Sequence, residues 1–294
     1  MIELEINKKI VAVPENWQEL NQATMLALAQ VYFAETMPLL DKLSWVLGSQ
    51  LGLKKKEMKN ADAAYVYLQL EANGVFEKMM FLLSSPVDEV VVAGDDYFEQ
   101  KAIIAMQQLL PTVQCGDDEL IAPDNDFSNL VFIELLVADD LFMRWQQTND
   151  DDWLARFFGC LWRIKDTQIT DKNYKGDWRK EFNESIITTY GLRVGKVSKS
   201  TMLAAALWWL SNRIKLAATY KFVYEPSDAD GAEDAESMAQ QGTTVMLQSI
   251  AESGVFGKLA EVKMSNALEC LTYLNSKIAA NKKAAKTKVS DGND

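Results

Sequence analysis

Histidine does not occur anywhere in this chain of 294 residues. Its absence excludes the Ser-His-Asp and Cys-His nucleophile systems, an imidazole general base, histidine-held zinc and an imidazole pH switch. Cysteine is sparse, since Cys115, Cys160 and Cys270 are far apart and form no Cys-x-x-Cys pair. This usage predicts buried thiols in a reducing cytoplasm rather than a disulfide framework or a zinc site.

Long hydrophobic runs are also lacking. The uninterrupted apolar run at residues 202–210 has nine residues. A helix that spans a membrane needs about 20. Arg213 and Lys215 follow in the same helical pattern. Their charges argue against a membrane span, because a charged side chain inside the bilayer is costly. The start of the chain has no apolar signal core, so we expect no cleaved secretion signal and no membrane partner.

Positive charge is in the minority, with 30 basic against 42 acidic residues and a formal net charge of −12. An acidic surface repels nucleic acid and anionic lipid unless basic groups cluster. The cluster that stands out is four lysines between Lys282 and Lys288. The sequence therefore predicts no nucleic-acid partner, although a helical regulatory or nucleic-acid-binding factor that uses this tail as its contact is an alternative.

Apolar residues at helical spacing are the main pattern in the sequence. Residues 200–226 form the longest pattern, which we expect to begin at a Ser200 cap and to stop before Pro226. Residues 2–13 alternate around Asn7, which is typical of a small hairpin. The sequence predicts a mainly α protein, namely a multi-helix bundle with a small N-terminal β-hairpin and short β elements near residues 111–123.

Five regions follow from changes of composition along the chain. We predict an N-terminal hairpin plus helical region (1–110), a central helical region (111–224), an acidic flexible loop (225–242), C-terminal helices packing on the core (243–280) and a polar tail (281–294). Within these regions, we expect helices at 96–110, capped at Asp96, and at 128–148, capped at Ser128. Residues 164–178 are polar and are interpreted as an exposed connector.

Acidic clusters permit a second class of function. Asp117, Asp118 and Glu119, or Asp150 to Asp152, are candidate metal ligands of a carboxylate-dependent and Mg²⁺-dependent enzyme. The second cluster directly precedes a helical pattern, so helix capping is the simpler interpretation. A phosphate-loop resemblance at residues 191–196 is one residue too short and lacks the Ser or Thr after its lysine. The pattern therefore predicts no catalytic, cofactor-binding or metal-binding residue.

The order of several segments resembles that of tail-assembly, chaperone-like proteins from tailed bacteriophages and prophages of gut-type bacteria. The segments are the N-terminal hairpin leading into VPENWQELNQATMLAL, then DNDFSNLVFIELLVADDLFMRW, WLARFFGCLWRIKD, LWWLSNRIKLAATYKFVYEP and LQSIAESGVFGKLAEVKMSNALECLTYLNSK. The resemblance implies a non-enzymatic morphogenesis protein in the host cytoplasm, with association with the virion as an alternative. It supplies no site residues.

The predicted function is protein–protein interaction in phage tail assembly, with another phage structural or tail protein as partner. The 12 Met and 29 aromatic residues (8 Trp, 9 Tyr and 12 Phe) offer adaptable apolar surface. Trp208 and Trp209 lie about 100° apart around a helix axis, so we expect one to face the core and the other a neighbouring helix or a partner; the alternative is that both are core. The candidate partner-binding residues are Trp208, Trp209, Arg213, Tyr220 and Phe256.

Overall fold

The computed structural model describes most of the chain outside residues 47–80. The described residues are 2–6, 9–34, 37, 41–42, 45–46, 81, 84–93, 99–174, 176–187, 194–224 and 235–290. Their structure is mainly helical with small antiparallel sheets. The predicted turn at Asn7, the Asp96 cap and residues 191–193 lie outside the described residues.

Helices account for most of the described structure. Eight α-helices occur within it: α1 (Gln22–Tyr32), α2 (Phe132–Thr148), α3 (Asp151–Leu161), α4 (Lys199–Thr219), α5 (Lys221–Tyr224), α6 (Ala235–Ser253), α7 (Leu259–Met264) and α8 (Ala267–Ser290). None of the described helices is long and apolar enough to cross a membrane.

The strands form small antiparallel sheets. The strands are β1 (Ile2–Ile6), β2 (Lys9–Val13), β3 (Val87–Ala93), β4 (Glu99–Ala105), β5 (Thr112–Cys115), β6 (Asp118–Ile121) and β7 (Arg163–Ile164). β1 pairs with β2 and β3 with β4, while β5, β6 and β7 form one sheet in that order. Gly116, at φ +63°, forms the turn between β5 and β6, a conformation that glycine adopts without steric cost. The β elements predicted near 111–123 are β5 and β6.

The chain divides into two units, each discontinuous in sequence. The first unit contains residues 1–110 and 197–215, and the second contains residues 111–196 and 216–294. In the first unit, Gln18 donates to the Ala105 carbonyl at 2.9 Å, and the buried amide of Met106 donates to Ser211 Oγ at 2.7 Å. Segments distant in sequence therefore meet inside this unit.

Part of the core of the second unit lies between α2 and α3. Phe142 on α2 packs against Phe157 on α3, with ring centroids 5.6 Å apart, and Phe158 stacks on Trp162 at 4.8 Å. Asn149 lies between these helices in the left-handed region, at φ +51°, which asparagine tolerates. Burial of such aromatic surface stabilises this unit.

Helix ends follow local chemistry, although not always at the predicted residue. Asp150 accepts from the Asp152 amide at 2.9 Å, so the capping interpretation of this acidic cluster is confirmed. Helix α2 begins at Phe132 after Val131, and the predicted cap Ser128 is wrong because its hydroxyl contacts Asp124 instead. Ser198, rather than Ser200, accepts from the first turn of α4.

Three other expectations differ from the structure. Residues 99–105 form β4, not a helix, because they pair along their length with β3. Helix α6 begins at Ala235, inside the predicted acidic loop, and α8 continues to Ser290, inside the predicted tail, because both segments are rich in alanine and other strong helix formers. The predicted connector 164–178 begins in β7 and contains the half-buried Asp177.

Candidate functional site

A pocket of about 470 Å³ lies in the second unit. Its wall is formed by residues 128–131 ahead of α2, by Arg163 on β7, by side chains between Asp166 and Phe182, and by Met264 and Asn266. A volume of this size falls in the range of small-ligand sites in proteins. The pocket is therefore a candidate ligand site of the second unit.

Two short backbone contacts hold one side of this pocket. The Phe132 amide donates to the Ser265 carbonyl at 2.8 Å, and the Ala267 amide donates to the Leu130 carbonyl at 2.9 Å. The Asn266 side chain donates to the Ser128 carbonyl at 2.7 Å and accepts from the Leu268 amide at 3.0 Å. Asn266 thus caps α8 and fixes the start of α8 beside the segment that precedes α2.

A cluster of four charged side chains, Arg163, Arg179, Glu134 and Asp177, adjoins the pocket, and all but Glu134 line its wall. Arg179 donates from Nη1 to Glu134 Oε1 at 2.7 Å and from Nε to Asp177 Oδ1 at 2.9 Å. The Arg179 and Glu134 side chains are fully buried. Arg179 also donates to the carbonyls of Leu161 and Asn129, so every nitrogen of its guanidinium has an acceptor. This geometry uses the planar fork of arginine, which lysine does not have.

Arg163 is the second cation of the cluster, and fewer of its guanidinium nitrogens have a hydrogen-bond acceptor. Its Nη2 donates to Glu134 Oε2 at 3.1 Å and to Asp177 Oδ2 at 3.0 Å, and its Nη1 donates to the Lys180 carbonyl. Its Nε is buried and has no acceptor among the residues that the structure describes. The side chain is 4% exposed and also lines the pocket.

Burial dominates the electrostatics of this cluster. It raises the pKa of the Glu134 carboxyl above its usual range, and the charges of Arg179 and Arg163 oppose that shift. Burial likewise lowers the pKa of Arg163, opposed by Glu134. Both Glu134 oxygens accept from guanidinium N–H groups, so the carboxylate is the form that these contacts require. The four charges offset one another, and the cluster itself is neutral.

The segment that follows α6 and includes α7, residues 254–264, presents apolar side chains to solvent. Val255 is 63% exposed, Leu259 43% and Met264 40%. The backbone here is fixed by Gly257, at φ +84°, and by a 2.6 Å hydrogen bond from the Lys258 amide to Glu261 Oε2. We call residues 254–264 the apolar corner; Met264 belongs both to this corner and to the pocket wall.

The predicted partner-binding residues lie in different environments. Trp208 and Trp209 are 0% and 1% exposed, so neither presents a surface to a partner in this structure; the alternative that both are core fits. Arg213 and Tyr220 are half-buried. Phe256 lies in the apolar corner, where its ring packs edge-on against Tyr273 at 5.8 Å. Of the five, Phe256 is next to exposed apolar side chains.

The residues of the alternative enzyme hypothesis lie at separate places. Asp117 lies in the β5–β6 turn, whereas Asp118 and Glu119 begin β6, and Glu119 pairs with Lys165 at 3.2 Å. Among the described residues, no group of three or more potential metal-ligating side chains comes together. Lys196, from the phosphate-loop resemblance, lies next to Gly116.

Sequence reasoning missed the charged cluster. Glu134 stands between Ile133 and Leu135 in an apolar helical run, and Arg163 stands between Trp162 and Ile164. A charged residue flanked by apolar neighbours needs a buried partner, because an isolated buried charge is costly. That signal was present, but nothing in the spacing assigns Glu134 to an arginine 45 positions away.

In comparisons with protein-family models, curated proteins and solved structures, nothing matches this chain.

Proposed function

We propose that this chain is a non-enzymatic protein–protein interaction protein that acts as a chaperone or structural accessory in phage tail assembly. The observation that carries the interaction part is the apolar corner, where Val255, Leu259 and Met264 are exposed within ten residues. Grouped exposed apolar side chains on a fixed backbone are typical of interaction surfaces. The tail-assembly part rests on the resemblance in the order of segments.

Four finer statements belong to this proposal. The helices form a multi-helix bundle, and β1 and β2 form a small N-terminal β-hairpin. The protein works in the cytoplasm of the bacterial host, with association with the virion as an alternative. Its partner is another phage structural or tail protein, neither nucleic acid nor membrane.

The test is co-expression of the tagged chain with each tail structural protein encoded beside it, followed by co-purification and size-exclusion chromatography. We expect one of these proteins to elute with the chain as a defined complex. Val255→Asp places a charge in the apolar corner and should weaken this complex about tenfold or more, because a buried valine contributes about 1.5 kcal/mol and the new carboxylate resists desolvation.

Val245→Asp is the matched control. Val245 is also a solvent-exposed valine, at 60%, but lies in the middle of α6. The control variant should bind the partner as the parent chain does. Failure of every neighbouring tail protein to form a complex would contradict the proposed function, and equal losses in the two variants would remove the apolar corner from it.

A further inference from the structure

We draw no further inference here: the strongest candidate, the pocket of the second unit between the residues that precede α2 and the start of α8, has a wall of apolar and oppositely charged side chains that does not identify what occupies it.

Discussion

Arg179 donates to Asp177, to Glu134 and to the carbonyls of Leu161 and Asn129. The side chain thereby joins the residues before and at the start of α2, the end of α3 and Asp177 through one buried group. Replacement by alanine leaves Glu134 buried with one cation fewer and leaves two carbonyls without their donor. Breaking a buried ion pair in this way costs far more than the net value of the pair.

We therefore expect Arg179→Ala to lower the free energy of unfolding by about 3 to 5 kcal/mol. Arg179→Lys should recover little of this loss, because the ammonium group cannot reproduce the forked geometry. Urea unfolding followed by tryptophan fluorescence measures both changes. Lys165→Ala is the control, since its pair with Glu119 is roughly half exposed and should contribute less than about 1 kcal/mol. A loss in Arg179→Ala no larger than that of the control would contradict the structure of the cluster.

The cysteines allow a second prediction at the level of single residues. All three thiols are buried, so the predicted buried thiols are confirmed. Burial raises the pKa of Cys270 from 9.0 to about 11. A raised thiol pKa means that the unfolded chain loses this proton at lower pH than the folded chain does. The free energy of unfolding should therefore fall as pH rises from about 9 to 11.

The Cys270→Ala variant isolates this effect from other groups that titrate in the same range. The parent chain should lose about 1 to 2 kcal/mol more than the variant between pH 9 and pH 11. Unfolding curves at several pH values give the difference directly. Identical pH dependence in the two proteins would show that the thiol titrates as an exposed group does.

At the scale of the secondary-structure elements, Asp150 gives a test of helix capping. Its side chain accepts from the Asp152 amide at 2.9 Å at the start of α3. Asp150→Ala should lower the free energy of unfolding by about 1 kcal/mol, while Asp150→Ser should keep most of it because serine caps equally well. Thermal unfolding with and without millimolar Mg²⁺ checks both variants. A melting temperature that rises with Mg²⁺ in the parent chain alone would favour the metal interpretation instead.

Elements with a strong local signal could be predicted from the sequence. The end of α2 at Thr148 and the cap at Asp150 follow from periodicity and from acidic residues before an apolar run. The strand β4 could not be predicted in this way, because residues 99–105 also fit a helix. Their state is decided by pairing with β3, a tertiary contact that local patterns do not contain.

The charged cluster at the candidate site also could not be predicted from local sequence patterns. The sequence does show that Glu134 and Arg163 are charged residues with apolar neighbours. The pairing of Glu134 with Arg163 and Arg179 joins positions 29 and 45 residues apart. It depends on where β7 and residues 177–179 lie relative to α2, which only the assembled second unit determines.

At the scale of the whole molecule, both units are built from separated stretches of chain. The first unit needs residues 197–215 as well as residues 1–110, although composition alone separates them into different regions. Residues 204–209 of α4 are all buried, including the two tryptophans. The long helical pattern is therefore an internal part of the fold, which explains why its aromatic side chains are poor candidates for partner binding.

The hydrogen bond from the Met106 amide to Ser211 Oγ tests this discontinuous arrangement, because it joins residues 105 positions apart at 2.7 Å in a buried setting. Ser211→Ala removes the acceptor and leaves a buried amide unsatisfied, which costs about 1 to 3 kcal/mol. We expect that loss in the free energy of unfolding, together with faster hydrogen exchange at the Met106 amide. Ser185→Ala, at an exposed position, should change stability by less than about 0.5 kcal/mol. Unchanged exchange at Met106 in Ser211→Ala would mean that residues 197–215 do not pack with residues 1–110 in solution.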